Sequence, residues 1–173
     1  MRKGLLIIYT GNGKGKTTAT LGLTLRAAGH GMRILILQFI KGAWHYGELD
    51  ALKRFPEVTV QTLGSGFTWK KESPAEDMEL AQRGWARAAE AIRRAEHDII
   101  VLDELNYVLS YKLIPLEPVL EAIRTRREDL HVVITGRNAP KALIEMADLV
   151  TDMRQIKHPY HDKGIKAQQG IEF

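Results

Sequence analysis

Glycine, lysine and threonine are concentrated in one stretch near the N-terminus, residues 9–18, which reads YTGNGKGKTT. The stretch follows a short apolar run, residues 5–8, and leads into a helical pattern over residues 20–28. Glycines allow backbone angles that a Cβ atom would forbid, so successive N–H groups can point at one anion. The N-terminus of a helix adds its dipole and its unpaired N–H groups. This order of strand, glycine-rich turn, Lys-Thr pair and helix predicts a phosphate-binding loop.

The loop residues divide into a phosphate cradle and two side chains with individual roles. The cradle is expected to consist of Gly11, Asn12, Gly13, Lys14, Gly15, Lys16, Thr17 and Thr18. Lys16 would supply positive charge to the phosphates, and the Thr17 hydroxyl would hold a magnesium ion. The general pattern has a glycine where this chain has Thr10, so the first glycine comes one residue late. A glycine-rich turn that caps a helix without a ligand is the alternative, but it leaves Gly-Lys-Thr-Thr unexplained.

Two carboxylates end a second apolar run, residues 97–104, which reads HDIIVLDE. In phosphate-loop proteins an acid at the end of a buried strand orders the magnesium ion and its waters. The sequence therefore predicts a metal site made by Thr17, Asp103 and Glu104. The alternative is that the acidic pair only caps the helix that follows.

A third apolar run, residues 131–137, ends in Thr-Gly-Arg, and Arg137 should point into the same crevice. In open α/β sheets, ligands bind outside the carboxyl ends of the strands, so three polar strand ends should converge there. This convergence predicts a nucleoside triphosphate with magnesium. The sequence has no Asn-Lys-x-Asp motif that would favour guanine, so ATP is the expected nucleotide.

Residues 64–72, GSGFTWKKE, combine glycines, two large aromatics and two lysines without a core periodicity. Phe67 and Trp69 could be satellite core residues, as loop aromatics often are. The flanking glycines and the Lys70-Lys71 pair favour instead a mobile flap over a large flat ligand, because aromatic side chains offer wide apolar contact.

Apolar runs and helical patterns alternate along the chain, which predicts an α/β fold. We expect a mostly parallel sheet of five or six strands with helices on both faces, in the RecA-like architecture of phosphate-loop NTPases. Ser73-Pro74 should start a long helix, whose apolar stripe is Met78, Ala81, Trp85, Ala88 and Ile92. Residues 157–173 are polar and without a clear period.

The composition is that of an ordinary globular protein, and one domain over residues 1–173 is expected. Hydrophobic residues make up 45% of the chain and charged residues 27%, with a net charge of +4. This charge is compatible with anionic ligands but too modest to indicate nucleic acid alone. The chain has no cysteine, which excludes disulfides and thiolate chemistry. No apolar run approaches the roughly 20 residues that span a bilayer, so a cytoplasmic protein is expected.

Several short blocks in this order resemble the ATP:corrinoid adenosyltransferases of the phosphate-loop type. The resemblance runs from about residue 4 to the C-terminus, and the family also carries Thr10 in place of the usual glycine. The matching blocks are residues 11–18, 38–42 (QFIKG), 66–69 (GFTW), 101–105 (VLDEL), 134–137 (ITGR) and 164–171 (GIKAQQGI).

The resemblance implies an enzyme that moves the 5′-deoxyadenosyl group of ATP to Co(I) of a reduced corrinoid and releases triphosphate. The corrinoid would be cobalamin, cobinamide or cobyrinic acid diamide, with Mg²⁺ or Mn²⁺ as the metal. The protein would need an electron donor that reduces cobalt, and would act as a homodimer without nucleic acid or membrane. Several family members have an N-terminal extension that covers the partner's active site, whereas only residues 1–3 precede the first strand here.

The resemblance also implies roles for single residues. Lys16 would be catalytic, and Lys41, Arg26 and Arg137 would contact the nucleotide. Phe67 and Trp69 would lie against the corrin ring and displace its lower axial ligand, which makes Co(II) easier to reduce.

Two other classes of function remain open. A small kinase or ATPase with the same loop would release ADP, but it leaves Phe67 and Trp69 unexplained. A nucleotide-dependent nucleic-acid binder fits the basic isoelectric point, near 9.3. It lacks a concentrated basic stripe, and its binding should depend steeply on salt.

Overall fold

The chain is described here by a computed structural model that covers residues 3–40, 46–64 and 74–173. The strands of this part are β1 Leu6–Thr10, β2 Ile34–Gln38, β3 Val58–Thr62, β4 Ile99–Asp103, β5 His131–Thr135 and β6 Leu149–Asp152. Its helices are α1 Lys16–Ala28, α2 Gly47–Leu52, α3 Pro74–Arg94, α4 Leu105–Ser110, α5 Glu117–Arg124, α6 Lys141–Met146 and α7 Pro159–Lys163.

The six strands form one sheet in the order β3-β2-β4-β5-β1-β6. Every pairing in this sheet is parallel, for example Ile8 beside Ile134 of β5 and Val150 of β6. Parallel strands require crossover connections. At least one helix lies between each strand and the next along the chain, including the neighbouring pairs β2 and β3 (α2) and β4 and β5 (α4 and α5). The α/β class and the number of strands predicted from the sequence are confirmed.

Both faces of β1, β2, β4 and β5 are covered, which explains why these strands read as continuous apolar runs. Along β1, Leu6 and Ile8 join the core that includes residues of α3, α4 and α5. Ile7 points to the other face and joins the core under α1 and α2. The strands β2, β4 and β5 alternate between the two cores in the same way. The sheet therefore holds the ends of its strands rigidly, and the site lies at those ends.

Some predicted boundaries shift in the structure for identifiable reasons. The sequence pattern predicts a helix from residue 20, but α1 begins at Lys16 directly after Gly15. Its first turn has no apolar period because its side chains belong to the phosphate loop. In α3, Ala81, Ala88 and Ile92 are buried, whereas Met78 is 42% exposed. The prediction that Met78 belongs to the apolar stripe is wrong, since the core under α3 begins one turn later.

The polar tail contains a short helix that its sequence pattern did not predict. His158 precedes α7, and its Nδ1 accepts a hydrogen bond from the N–H of Tyr160 at 3.2 Å. Histidine is not among the residues that usually cap a helix, so the sequence offers no strong start signal there. The predicted helix start at Ser73 lies outside the described residues. Of the helices in the described ranges, none has the length and apolarity required to cross a membrane.

Candidate active site at the phosphate loop

The predicted phosphate loop connects β1 to α1 and depends on glycine at two left-handed positions. Gly11 has a φ of 96° and Gly15 a φ of 107°. A Cβ atom on Gly11 would lie 2.1 Å from Oδ1 of Asp152 and 2.5 Å from the carbonyl oxygen of Met153. The loop therefore packs directly against the end of β6, which leaves no room for a side chain at residue 11.

Backbone hydrogen bonds join the loop to the residue after β6. The N–H of Met153 donates to the Thr10 carbonyl at 2.9 Å, and the N–H of Gly13 donates to the Met153 carbonyl at 2.6 Å. The Gly13 N–H is therefore directed at the Met153 carbonyl, so it is not a donor to the cleft in this structure. The loop therefore packs against the chain at the end of the edge strand β6.

Lys16 is the first residue of α1, and its side chain packs against the loop with only 8% of its surface exposed. Its Nζ donates hydrogen bonds to the carbonyl oxygens of Gly11 at 2.8 Å and Gly13 at 2.7 Å. An ammonium group has three N–H donors, so these two bonds leave one for a phosphate oxygen. These two carbonyl groups fix the Lys16 ammonium at the position where it would contact a bound phosphate chain.

Burial lowers the pKa of the Lys16 ammonium below its ordinary value, and the nearby Arg137 guanidinium lowers that pKa further. The carboxylates of Glu104 and Asp152 raise the same pKa and oppose these effects. A phosphate chain would add negative charge to this environment and stabilise the charged form of Lys16.

Asp103, at the end of β4, is the buried acid of the site, with 1% of its surface exposed. Its Oδ1 accepts a hydrogen bond from the Thr135 hydroxyl at 2.7 Å and another from the Thr17 hydroxyl at 3.3 Å. Its Oδ2 is buried and has no hydrogen-bond partner in the described part of the chain. A buried carboxylate oxygen without a donor requires compensation by a cation or water.

Glu104 follows Asp103 in an unusual backbone conformation, with a φ of 63°. Its N–H donates to the Thr135 hydroxyl at 2.8 Å, which fixes this left-handed residue to the neighbouring strand. Glu104 precedes α4, but its side chain makes no capping hydrogen bond to that helix. The alternative that the acidic pair only caps the next helix is therefore not supported at Glu104.

The end of β5 reaches the site through a second close contact with α4. Gly136 has a φ of 123°, and its carbonyl accepts a hydrogen bond from Nδ2 of the fully buried Asn106 at 3.1 Å. A Cβ atom on Gly136 would lie 2.9 Å from Cβ of Asn106. This turn sends the next side chain, Arg137, to the cleft beside the loop.

The three strand ends surround one cleft of about 720 Å³. Its walls are formed by Gly13, Lys14, Gly15, Lys16, Thr17, Thr18, Ala19, Glu104, Tyr107, Arg137, Pro159, Ile171 and Glu172. The structure therefore brings residues 13–18 of the loop, Glu104 and Arg137 together around one cleft, and Asp103 contacts the cleft residue Thr17. The cleft contains cations, backbone N–H donors and carboxylates. These groups suit a phosphate chain that binds together with a divalent cation.

Among the described residues, the predicted residues that do not line the cleft are Gly11, Asn12, Asp103 and Arg26. Gly11 and Asn12 line a second pocket, and Asp103 is buried beside Thr17. Arg26 lies in the last turn of α1, ten residues after Lys16. Ten residues of helix correspond to about 15 Å, and Arg26 does not line the cleft. Lys41, Phe67 and Trp69 lie outside the described residues.

The sequence does not predict a functional place for Asn106 or Glu172, and it predicts Thr135 only as part of a polar strand end. Thr135 and Asn106 tie β5 to β4 and α4, which depends on a strand adjacency that the sequence does not reveal. Glu172 pairs with Lys14 from the far end of the chain. The block at residues 164–171 shows that the tail resembles the family, but it does not predict that Glu172 contacts Lys14.

Comparison with known proteins identifies the family. The sequence model described as ATP:corrinoid adenosyltransferase BtuR/CobO/CobP matches residues 2–173. A corrinoid adenosyltransferase from Sinorhizobium sp. is 47% identical over 174 residues, which cover 99% of this chain and 81% of that protein. Corrinoid adenosyltransferases from Pseudomonas aeruginosa and Escherichia coli K12 are 43% and 40% identical, with 99% of this chain and 84% and 86% of theirs covered.

Solved structures with low sequence identity share the architecture. The flagellar accessory protein FlaH from Methanocaldococcus jannaschii aligns with a TM-score of 0.60 at 10% identity, over 88% of this chain and 72% of that one. The KaiC-like protein PH0186 from Pyrococcus horikoshii aligns with a TM-score of 0.53 at 15% identity, over 87% and 73%. These similarities confirm the predicted RecA-like fold and extend no further. The family model and the curated relatives, which match nearly the whole sequence, establish that the chain belongs to the ATP:corrinoid adenosyltransferases, enzymes whose substrates are ATP and a corrinoid.

Proposed function

We propose that this enzyme transfers the 5′-deoxyadenosyl group of ATP to Co(I) of a reduced corrinoid and releases triphosphate. The electron pair of Co(I) forms the bond from cobalt to C5′. The bond from C5′ to oxygen breaks, and its electrons leave on the triphosphate. Because the nucleophile is the corrinoid itself, the reaction requires no general base from the protein.

The observation that carries this proposal is the phosphate cleft in a chain of this family. Lys16 lies buried in the loop with one N–H donor left, and Arg137 lines the same space. Both cations would stabilise the negative charge that develops on the leaving triphosphate. Holding the phosphate chain at the loop would also fix the direction in which C5′ faces the corrinoid.

A magnesium ion is part of the proposal, and the residues fit it. The fit rests on the buried Asp103 Oδ2, which has no donor in the described ranges, and on the nearby Thr17 hydroxyl. Oxygen atoms are the ligands that Mg²⁺ prefers, and it commonly takes one or two carboxylates together with phosphates and water. Thr17 with Asp103 or Glu104 would hold the ion, which would neutralise charge on the triphosphate.

Phe67 and Trp69 are proposed to contact the corrin ring and remove its lower axial ligand. Alanine at either position should reduce turnover from Co(II) more strongly than it reduces ATP binding. Steady-state turnover with a reductant, compared with calorimetric titration of Mg-ATP, separates the two effects. Equal losses in both measurements would contradict this role.

Adenosylcobalamin synthesis or salvage, the electron donor and the homodimer also belong to the proposal. A donor must reduce cobalt to Co(I), and its chemical identity is open. Sedimentation velocity at micromolar concentration tests the dimer, and a purely monomeric species would contradict it.

The direct test of the reaction is anaerobic incubation with Mg-ATP and chemically reduced cobalamin. A light-sensitive Co–C bond in the corrinoid spectrum and intact triphosphate by phosphorus NMR are expected. One observation favours ATP hydrolysis as the second candidate: Glu104 follows Asp103 and lines the cleft, where a carboxylate could activate water. ADP and phosphate with an unchanged corrinoid would support hydrolysis and overturn adenosyl transfer.

A further inference from the structure

The last ten residues, 164–173, which we call the C-terminal segment, contribute two residues to the phosphate cleft and have no role in the proposed reaction. Ile171 and Glu172 form part of its wall, opposite the loop residues. Glu172 brings a negative charge to a cleft whose proposed ligand is a polyanion. A carboxylate in this place calls for an explanation beyond packing.

The carboxylate is held in place by a turn within the segment. The N–H groups of Ile171 and Glu172 both donate to the Gln168 carbonyl, at 3.2 and 2.9 Å. Gly170 has a φ of 79°, and its N–H donates to the Phe173 carbonyl at 2.8 Å. The segment therefore presents Glu172 to the loop from a folded turn.

Glu172 forms an ion pair with Lys14, the additional cation of the phosphate loop. The Glu172 side chain is 19% exposed in this pair, and the Lys14 side chain is 51% exposed. A phosphate chain at the loop would need the same ammonium group and would be repelled by the same carboxylate. Glu172 and a phosphate chain are therefore alternative anionic partners of Lys14.

We propose that Glu172 competes with the phosphate chain for Lys14 and so weakens retention of triphosphate. The inference rests on the proposed release of triphosphate. Lys14 exchanges one anionic partner for another when the phosphates bind, and it returns to Glu172 when they leave. An interaction that weakens substrate and leaving group alike raises KM and relieves product inhibition, with little effect on the chemical step.

The experiment measures binding of magnesium tripolyphosphate by calorimetry, without corrinoid or nucleoside. Glu172→Gln should bind it about fivefold more tightly at low salt, the range expected for a partly exposed ion pair. The difference should shrink at 0.5 M salt, because the Debye length there falls to roughly 4 Å. If Glu172→Gln also detached the C-terminal segment from the loop, Lys14 would again lose its carboxylate partner and tripolyphosphate would again bind more tightly.

A matched control removes the same charge elsewhere. Glu121 pairs with Arg124 at 2.7 Å on α5 and does not line the cleft, so Glu121→Gln should leave binding unchanged. When both proteins also carry Lys14→Met, Glu172→Gln should increase tripolyphosphate affinity by less than half the factor seen with Lys14 present. An undiminished gain there would overturn the competition for Lys14.

The remaining outcomes separate this inference from the proposed function. Tripolyphosphate binding by the wild-type protein with equal or weaker binding by Glu172→Gln overturns the role of Glu172 alone. Failure of the wild-type protein to bind tripolyphosphate overturns the phosphate site itself, and the inference with it.

Discussion

At the scale of single residues, the Thr135 hydroxyl joins the two acids of the site. It donates to Asp103 Oδ1 at 2.7 Å and accepts the Glu104 N–H at 2.8 Å, and Thr135 is completely buried. Glu104 has a left-handed backbone, a conformation that surrounding contacts must maintain in a residue with a side chain. Thr135 therefore positions both carboxylates, and serine is the conservative replacement that retains its hydroxyl.

Thr135→Val keeps the volume of the side chain and removes the hydroxyl. We expect it to lower the free energy of unfolding by about 2 kcal/mol, because it removes a hydrogen bond to a charged group. It should also lower kcat/KM by about tenfold through misplaced carboxylates. Urea unfolding and Mg-ATP-dependent turnover measure the two effects.

Two variants separate positioning from packing at Thr135. Thr135→Ser should restore most of kcat/KM, since it restores the hydroxyl. Thr24→Val is the matched control, because the Thr24 hydroxyl is buried without a partner in the described part of the chain. Equal losses in Thr135→Ser and Thr135→Val would show that the hydroxyl does not position the acids.

The contrast between Thr17 and Thr135 shows which site residues the sequence can reveal. Thr17 follows Lys16 in a local motif, so its place at the phosphate loop could be predicted from spacing alone. Thr135 lies 32 residues after Asp103, and their contact exists only because β4 and β5 are neighbours in the sheet. The sequence predicts that both strands have polar ends, but not which hydroxyl meets which carboxylate.

At the scale of elements, the phosphate loop depends on close packing against β6. A Cβ atom at Gly11 would meet both Asp152 and Met153, and the φ of 96° disfavours any residue with a side chain. The glycines of the loop predict a backbone that can adopt left-handed conformations. The partner of the loop was not predictable, because β6 follows β1 by more than 130 residues.

Gly11→Ala should therefore destabilise the protein by about 3 kcal/mol, through backbone strain and the clash with β6. Gly22→Ala, within α1, is the control: its Cβ would meet nothing within 4 Å. That variant should be more stable than the wild type by about 0.8 kcal/mol, since alanine favours a helix. Urea unfolding of both variants measures the difference. Similar stability of the two variants would contradict the packing described for the loop.

At the scale of the whole molecule, the alternation of apolar runs predicted the α/β class and the number of strands. Local periodicity identifies a strand buried on both faces, but it carries no information about its neighbours. The order β3-β2-β4-β5-β1-β6 places the loop strand between β5 and β6, and that order emerges only in the structure. The cleft follows from this order.

Folding also places His97, just before β4, in an environment that lowers its pKa. Burial is the main cause, and the guanidinium groups of Arg33 and Arg87 contribute, while Glu96 and Asp98 oppose them. The unfolded chain then binds a proton near pH 6.5, where the folded chain does not. The free energy of unfolding should therefore fall as the pH is lowered from about 6.5 toward the lowered pKa of His97.

His97→Gln should reduce this loss of stability, because glutamine does not titrate. Urea unfolding of wild type and variant at several values between about pH 7 and pH 5 isolates the contribution of His97. The matched control is His30→Gln, at an exposed position after α1. A pH profile identical for His97→Gln and wild type would contradict the assigned direction of the shift.

The most direct measurement for adenosyl transfer follows one oxygen atom. ATP carrying oxygen-18 between C5′ and the α-phosphorus is incubated anaerobically with the enzyme, magnesium and chemically reduced cobalamin. Attack of Co(I) on C5′ predicts that the label leaves on a terminal phosphate of intact triphosphate, while the corrinoid gains a light-sensitive Co–C bond. Label retained in ADP, with free phosphate and an unchanged corrinoid, would mean that the chemistry occurs at phosphorus and would contradict the proposed reaction.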